Sequence, residues 1–218
     1  AERAAFRRAV ARRAAREPLA YILEHWPFGD LDLLVNPHVL IPRPETEFLV
    51  ELALAHLERR EAALAGGPGP LLADVGTGSG AIAIALARAV PAARVYALDR
   101  SADALAVAAA TCRRCGVAGR VTLIQGDLLS ALGAPLDGIV ANLPYVEEKA
   151  LPYLAPEVAR HEPRLALDGG PGGTAIIRRL LAQAPAHLAC GGFVLLEIGA
   201  NQGADVLAMA QAAWPAAQ

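Results

Sequence analysis

The sequence predicts an α/β protein with a doubly wound, mostly parallel sheet, and three observations carry that expectation. From residue 71 onward, short apolar runs alternate with helical stretches, the pattern of strands buried on both faces and joined by covering helices. A glycine-rich loop, Asp74-Val75-Gly76-Thr77-Gly78-Ser79-Gly80, separates the first apolar run from the first apolar helix. An acidic residue stands at or just after the end of each of the first three runs: Asp74, Asp99 and Asp127.

Composition sets the frame. A chain of 218 residues holds one full domain plus an appendage, and 55% hydrophobic against 19% charged residues is ample for a core. The net charge of −2 gives no global footprint for nucleic acid, so no direct nucleic-acid partner is expected. No apolar stretch reaches the roughly 18 residues of a membrane helix, since Arg88 interrupts the best candidate, residues 80–90. Cys112, Cys115 and Cys190 are odd in number, and Cys112-x-x-Cys115 lacks the second pair of a zinc site. Inert thiols in a reducing, cytoplasmic setting are expected, and the five histidines show no metal-ligand spacing. A monomer without a metal is the resulting picture.

The elements follow in order. Residues 1–18 open with a helix of six arginines in which Phe6 and Val10 share a face, read as the remnant of an N-terminal helical domain ended by Pro18. Residues 19–40 predict a β-hairpin linker, with strands over 21–26 and 31–35 around the turn Pro27-Phe28-Gly29-Asp30. The main domain spans 41–218. After Ile41-Pro42-Arg43-Pro44-Glu45-Thr46-Glu47, in which Glu45 or Thr46 caps a helix, apolar residues recur at helical spacing from Phe48 to Leu57. A Gly/Pro-rich break at 66–70 precedes strands over 71–75, 94–98, 121–125, 137–141 and 192–198, with helices such as 81–89 and 102–115 between them. A last helix over 203–213 stops before Pro215, and the C-terminal strands with which such a sheet can continue are expected to be missing.

In an open α/β sheet, ligands bind beyond the carboxyl ends of the strands, so the glycine loop marks the place to look. Its glycines let the backbone approach a ligand closely, and the helix that follows presents unpaired N–H groups suited to a nucleotide or nucleoside. Gly76-x-Gly78-x-x-Ala81 also fits the relaxed dinucleotide fingerprint, and Asp99, 23 residues after Gly76, can take the ribose hydroxyls of NAD or of S-adenosylmethionine alike. Asp74, able to hold an ammonium group, and Asp127, able to meet an adenine edge, favour the amino-acid-bearing nucleoside. Either can instead be an ordinary helix cap.

The tetrapeptide Asn142-Leu143-Pro144-Tyr145 follows the fourth strand. Methylating an amide or aromatic amine requires a delocalised nitrogen lone pair to be localised. An Asn oxygen and a neighbouring backbone carbonyl can each accept one N–H of the target NH₂ and aim that lone pair at a methyl group. Pro144 biases Leu143 towards extended geometry, which fixes its carbonyl, and Tyr145 can pack its ring on the planar target as positive charge develops.

In these features the chain resembles the HemK/PrmC family of protein-(glutamine-N5) methyltransferases that act on peptide chain release factors. The resemblance spans residues 17–202 and rests on Ile41 to Glu47, Asp74 to Gly80, Asn142 to Tyr145, Glu162-Pro163-Arg164-Leu165-Ala166-Leu167, the glycine stretch 169–173 and Leu196-Glu197-Ile198-Gly199. It implies a class I, Rossmann-like methyltransferase fold. It implies S-adenosylmethionine as methyl donor, becoming S-adenosylhomocysteine, held by Gly76, Thr77, Gly78, Ser79, Gly80, Asp99, Asp127, Leu128 and Asn142. It also implies that Asn142, Leu143, Pro144 and Tyr145 take the glutamine of the release factor's Gly-Gly-Gln tip, bordered by Pro44, Glu45 and Thr46. Leu143 stands where the family usually has a proline, but its carbonyl is retained. The rival expectations are an amino-methyltransferase of a ribosomal-protein glutamine or of a DNA or RNA base, a dehydrogenase, and a non-catalytic S-adenosylmethionine-binding module.

Overall fold

In chain order the strands are β1 (His25–Phe28) and β2 (Leu31–Leu34), which pair as an antiparallel hairpin, then β3 (Leu71–Val75), β4 (Arg94–Asp99), β5 (Val121–Gln125), β6 (Leu136–Asn142) and β7 (Leu188–Glu197). The last five form one parallel sheet in the order β5-β4-β3-β6-β7. The helices are α1 (Glu2–Ala14), α2 (Leu19–Leu23), α3 (Pro44–Ala63), α4 (Ala81–Ala89), α5 (Ala102–Arg114), α6 (Pro156–His161), α7 (Ala175–Gln183) and α8 (Gly203–Ala213). This computed structural model describes residues 2–63, 69–133 and 135–215. The chain builds outward from β3 through β4 to β5, then returns to the other side of β3 for β6 and β7. That reversal places the switch in strand order at the carboxyl end of β3, where the glycine loop begins.

Both faces of the sheet are covered, which is why its strands read as apolar runs rather than alternating ones. On one face Leu72 packs with Leu49 and Leu57 of α3 and with Ile82 and Leu86 of α4. On the other, Ala73 and Val75 join Ile139 and Ala141 of β6 and Ile177 and Leu180 of α7. The period of two along β3 thus sends Leu72 and Asp74 towards one layer, Ala73 and Val75 towards the other.

The structure differs from the sequence reading in four places, two of them at the hairpin. Residues 19–23, of which 21–23 were expected to begin a strand, form the short helix α2, and the strand starts only at His25. The Tyr21 hydroxyl accounts for this by donating to the Val39 carbonyl at 2.6 Å, a buried bond that requires Ala20 and Tyr21 to turn inward together. Pro27, assigned to the turn, lies within β1 opposite Asp32, and Gly29-Asp30 make the turn. A strand of a two-stranded hairpin has a free edge, where a residue without an N–H is tolerated. Phe28, Leu31 and Leu33 of the hairpin are buried in the same cluster as α3 and α4.

The other two differences lie beyond β6. β7 begins at Leu188 rather than residue 192, and its register with β6 jumps from Leu136↔Leu188 to Gly138↔Phe193. Gly191, at φ +69°, absorbs the extra residues in that bulge. The helix α7, unassigned in the sequence reading, supplies much of the second layer.

The described part of α1 buries none of its residues, and Phe6 and Val10 are exposed. Its end is tethered by ion pairs from Arg12 to Glu17 and from Arg13 and Arg16 to Glu157. Cys112 is buried in α5, its thiol pushed up to about 11 by burial, whereas Cys190 is exposed. No described helix is long and apolar enough to cross a membrane. Part of the break at 66–70 lies outside the described residues.

Tyr21→Phe leaves the buried Val39 carbonyl without its donor and is expected to lower stability by about 1 to 3 kcal/mol. Urea unfolding reads this as a lower midpoint with an unchanged slope.

Candidate functional site

A cleft of about 230 Å³ opens at the carboxyl ends of β3, β4, β5 and β6. Its floor is the glycine loop. The N–H groups of Gly76 and Thr77 both donate to the Leu98 carbonyl of β4, at 2.8 and 2.9 Å, which folds the loop back over the sheet. Gly76 has φ +79°, and a Cβ there would stand 3.1 Å from Cδ2 of Leu143, so only glycine lets the loop and the tetrapeptide approach this closely.

Asp99 ends β4 and ties two loops together. Its Oδ2 accepts from the Gly78 N–H at 3.0 Å and its Oδ1 from the Ser101 N–H at 2.9 Å. A carboxylate has lone pairs beyond these two bonds, and Asp99 lines the cleft, so it can still take a pair of hydroxyls. Further along the wall, Asp127 pairs with Arg179 of α7, and both line the cleft. Leu128 beside them is buried at φ +54°, a conformation that non-glycine residues rarely adopt and that holds it in the wall.

Asp74 is placed differently from the sequence expectation. It is fully buried on the α4 side of β3 and lies outside the cleft wall. Its Oδ2 accepts from the Thr77 hydroxyl at 2.6 Å and from the Ala83 N–H at 3.0 Å, while Oδ1 has no partner among the described residues. Because Gly80 precedes α4 and offers no side chain, Asp74 does the work of that helix's cap from the strand below. The geometry is that of a cap, one of the two readings that the sequence left open.

The other end of the cleft carries a chain of polar side chains. Asn142 ends β6, and the parallel register sets it beside Glu197 at the end of β7. Thr46, in the first turn of α3, reaches between them: its hydroxyl donates to Glu197 Oε2 at 2.6 Å and accepts from Asn142 Nδ2 at 3.0 Å. Tyr145 donates its hydroxyl to Glu197 Oε1 at 3.3 Å. Burial and the nearby Glu197 carboxylate push the Tyr145 phenol above its ordinary value, and the charge of Glu45 adds to this. Asn142 Oδ1 and the Leu143 carbonyl accept no hydrogen bond from the described residues, and both residues line the cleft. Thr46 therefore faces inward instead of capping α3, and Pro44 and Glu45 are exposed beside the cleft without lining it.

Behind the tetrapeptide a glycine loop makes close backbone contact. A Cβ on Gly169 would collide with the Pro144 carbonyl, and one on Gly173 with the Tyr145 carbonyl. Gln202 donates to that Tyr145 carbonyl at 2.9 Å while its Oε1 accepts from the Gly199 N–H at 2.8 Å. Glu162, nearly fully buried, accepts from the Ile41 N–H and from Arg43, joining the segment before α3 to the one after α6.

Residues 51–170 match the model of the Methyltransferase small domain family. The chain is 50% identical over 208 residues to a release factor glutamine methyltransferase of Moorella thermoacetica, covering 95% of this chain and 71% of that protein. A release factor glutamine methyltransferase of Geobacter sulfurreducens is 44% identical over 209 residues, again 95% of this chain and 70% of its relative. The chain belongs to the release factor glutamine methyltransferase family. Among solved structures, the ribosomal protein L11 methylase of Lactobacillus delbrueckii subsp. bulgaricus superposes with a TM-score of 0.56 at 23% identity, covering 82% of this chain and 73% of that one. That likeness concerns the class I methyltransferase fold alone.

Of the sixteen residues that the sequence reading assigned to the site, eleven line the cleft and five do not. Gly76, Thr77, Gly78, Ser79, Asp99, Asp127, Leu128, Thr46, Asn142, Leu143 and Pro144 meet there; Asp74, Gly80, Pro44, Glu45 and Tyr145 stand behind or beside it. Glu197 and Gln202 carry polar contacts that no local pattern assigned to them. A pointer was present in Leu196-Glu197-Ile198-Gly199, where a carboxylate interrupts an apolar strand at its carboxyl end.

Burial pushes the Asp74 carboxyl up to about 7 against the downward pull of its Thr77 and Ala83 hydrogen bonds. An acid raised by folding contributes stability fully below its unfolded value, near pH ~4, and loses it as pH climbs through the folded value. The stability of Asp74→Asn relative to wild type should therefore rise between about pH 4 and pH 7 and level off above. Urea unfolding of both proteins over that window checks this; a flat difference would mean that folding leaves the Asp74 carboxyl at its ordinary value.

Proposed function

We propose that this chain transfers the methyl group of S-adenosylmethionine to the side-chain amide nitrogen (N5) of the glutamine in the Gly-Gly-Gln motif of a peptide chain release factor. One observation carries the reading. Asn142 has its Nδ2 anchored on Thr46, so its Oδ1 is available at the cleft beside the unbonded Leu143 carbonyl. Two fixed acceptors and no donor are what a primary amide nitrogen requires, and the names of the relatives supply the protein that carries it.

The cleft suits the cofactor. Val75, Leu98, Leu128 and Ile176 offer apolar surface for an adenine ring, Asp99 offers lone pairs for the ribose hydroxyls, and Asp127 offers an acceptor for an exocyclic amine. The loop with Gly76, Gly78 and Ser79 lines the side nearest Leu143. When bound, S-adenosylmethionine supplies an electrophilic methyl group on a sulfonium. The protein's share is orientation: Asn142 Oδ1 and the Leu143 carbonyl each accept one N–H of the target, drawing its lone pair out of conjugation. Tyr145, half-buried beside them, offers a ring face to the positive charge that develops on nitrogen. No base is needed before transfer. We place the reaction in the cytoplasm, where translation occurs, with a monomeric enzyme and no direct nucleic-acid partner.

The test is incubation with labelled S-adenosylmethionine and purified, unmethylated release factor, with mass spectrometry of the Gly-Gly-Gln peptide. A one-methylene mass increase on that glutamine is expected. Asn142→Ala should lower kcat by about 100-fold or more while cofactor affinity stays within about threefold. Equal losses in both would contradict a substrate-orienting Asn142, and cofactor binding without any mass increase would leave a non-catalytic binding module.

A further inference from the structure

Hydrogen-bond polarity along the chain Glu197, Thr46, Asn142 has a direction, and the direction is set at one end. A carboxylate only accepts. The single proton of the Thr46 hydroxyl is therefore committed to Glu197, at 2.6 Å, and the Thr46 oxygen is left as an acceptor. An acceptor at 3.0 Å from Asn142 can be met only by the amide NH₂, never by the amide oxygen. With the NH₂ turned towards Thr46, Oδ1 is the atom presented at the cleft. Were Glu197 replaced by a donor or by nothing, the Thr46 proton would be free to turn to Asn142 Oδ1. The Asn amide would then rotate and present its NH₂ to the incoming NH₂ of the target, donor against donor.

We infer that Glu197 is a positioning residue for amide methylation, which fixes through Thr46 the orientation in which Asn142 offers its oxygen. The inference rests on the proposed reaction. Three elements far apart in sequence converge to make it: the first turn of α3, the carboxyl end of β6 and the carboxyl end of β7. Thr46 is 4% exposed, so water has little access to substitute for either of its partners. The same carboxylate accepts from the Tyr145 hydroxyl at 3.3 Å, which holds the aromatic ring of the tetrapeptide to the same anchor. Glu197 stays clear of the cleft wall and acts on the target only through these two residues.

Four variants test this in the full chain: Glu197→Ala, Glu197→Gln, Thr46→Val and the Glu197→Ala/Thr46→Val double variant. Kinetics use purified release factor and S-adenosylmethionine. Glutamine can keep Oε1 on the Thr46 hydroxyl and its NH₂ on the Tyr145 oxygen, so Glu197→Gln should stay within about threefold of wild-type kcat. Glu197→Ala and Thr46→Val should each lower kcat by about tenfold or more, with release-factor KM and cofactor affinity within about threefold, and the double variant should be no worse than either single one. Wild-type kcat in Glu197→Ala would overturn the inference. So would a Glu197→Gln enzyme as slow as Glu197→Ala, since charge rather than hydrogen-bond direction would then matter, and so would losses confined to KM. A second readout needs no substrate: the side-chain NH₂ signal of Asn142 in ¹⁵N-labelled protein, identified by its absence in Asn142→Ala. It should shift and exchange faster with water in Glu197→Ala and Thr46→Val but stay in place in Glu197→Gln. If the release factor is not methylated at all, this pattern still upholds the positioning role while the proposed reaction falls; an unmoved signal overturns the positioning role whatever the reaction.

Discussion

Parallel pairing sets Asn142 beside Glu197, Asp74 beside Ala97 and Val140, and Val75 beside Leu98, so the carboxyl ends of β3, β4, β6 and β7 finish at one level. The site depends on that register more than on any single side chain. Slipping β7 by one residue would carry the Glu197 carboxylate to the opposite face of the sheet and leave Thr46 without its acceptor. The bulge around Gly191 serves this alignment. It takes up the surplus length of β7 before Phe193, so that the last five pairs with β6, from Gly138↔Phe193 to Asn142↔Glu197, run in step to the site.

A level row of strand ends also concentrates polar groups where water is scarce, and such groups must find partners. Asp99 meets two backbone N–H groups, Glu162 a backbone N–H and an arginine, and Glu197 two hydroxyls. Each acid thereby joins segments that the chain order keeps apart. Asp74 differs because one of its oxygens goes unmatched among the described residues, and burial answers by favouring its neutral form. The rim obeys other rules: Arg179 and Asp127 are half exposed, where solvent screens an ion pair and little stability follows.

What could be read from the sequence was local. The strand boundaries of β3 and β5 and the helix α4 follow from apolar runs between glycine and acidic punctuation, and the structure has them at residues 71–75, 121–125 and 81–89. The cleft residues of the glycine loop and of Asn142 to Pro144 sit within a few positions of such a boundary. What stayed hidden was held by distant partners. Tyr21 turns helical because its hydroxyl finds Val39, 18 positions on, and Thr46 turns inward because Glu197 lies 151 positions away. Asp74 lay within reach of sequence reasoning, since period two along β3 puts it on the face of Leu72, under α4 and away from the cleft. The helix α7 shows apolar pairs at Ile176-Ile177 and Leu180-Leu181, a helical spacing, but at nine residues between two turns its signal is short.

The side chain of Leu143 lies close to Gly76, the first of the three glycines in the loop after β3. A side chain at Gly76 would therefore press on Leu143 and, through it, on its neighbour Asn142 at the end of β6. The glycine contacts at 169 and 173 back the tetrapeptide from behind, against the Pro144 and Tyr145 carbonyls. The loop after β3 and the tetrapeptide after β6, built on separate strands, are thereby packed as one unit.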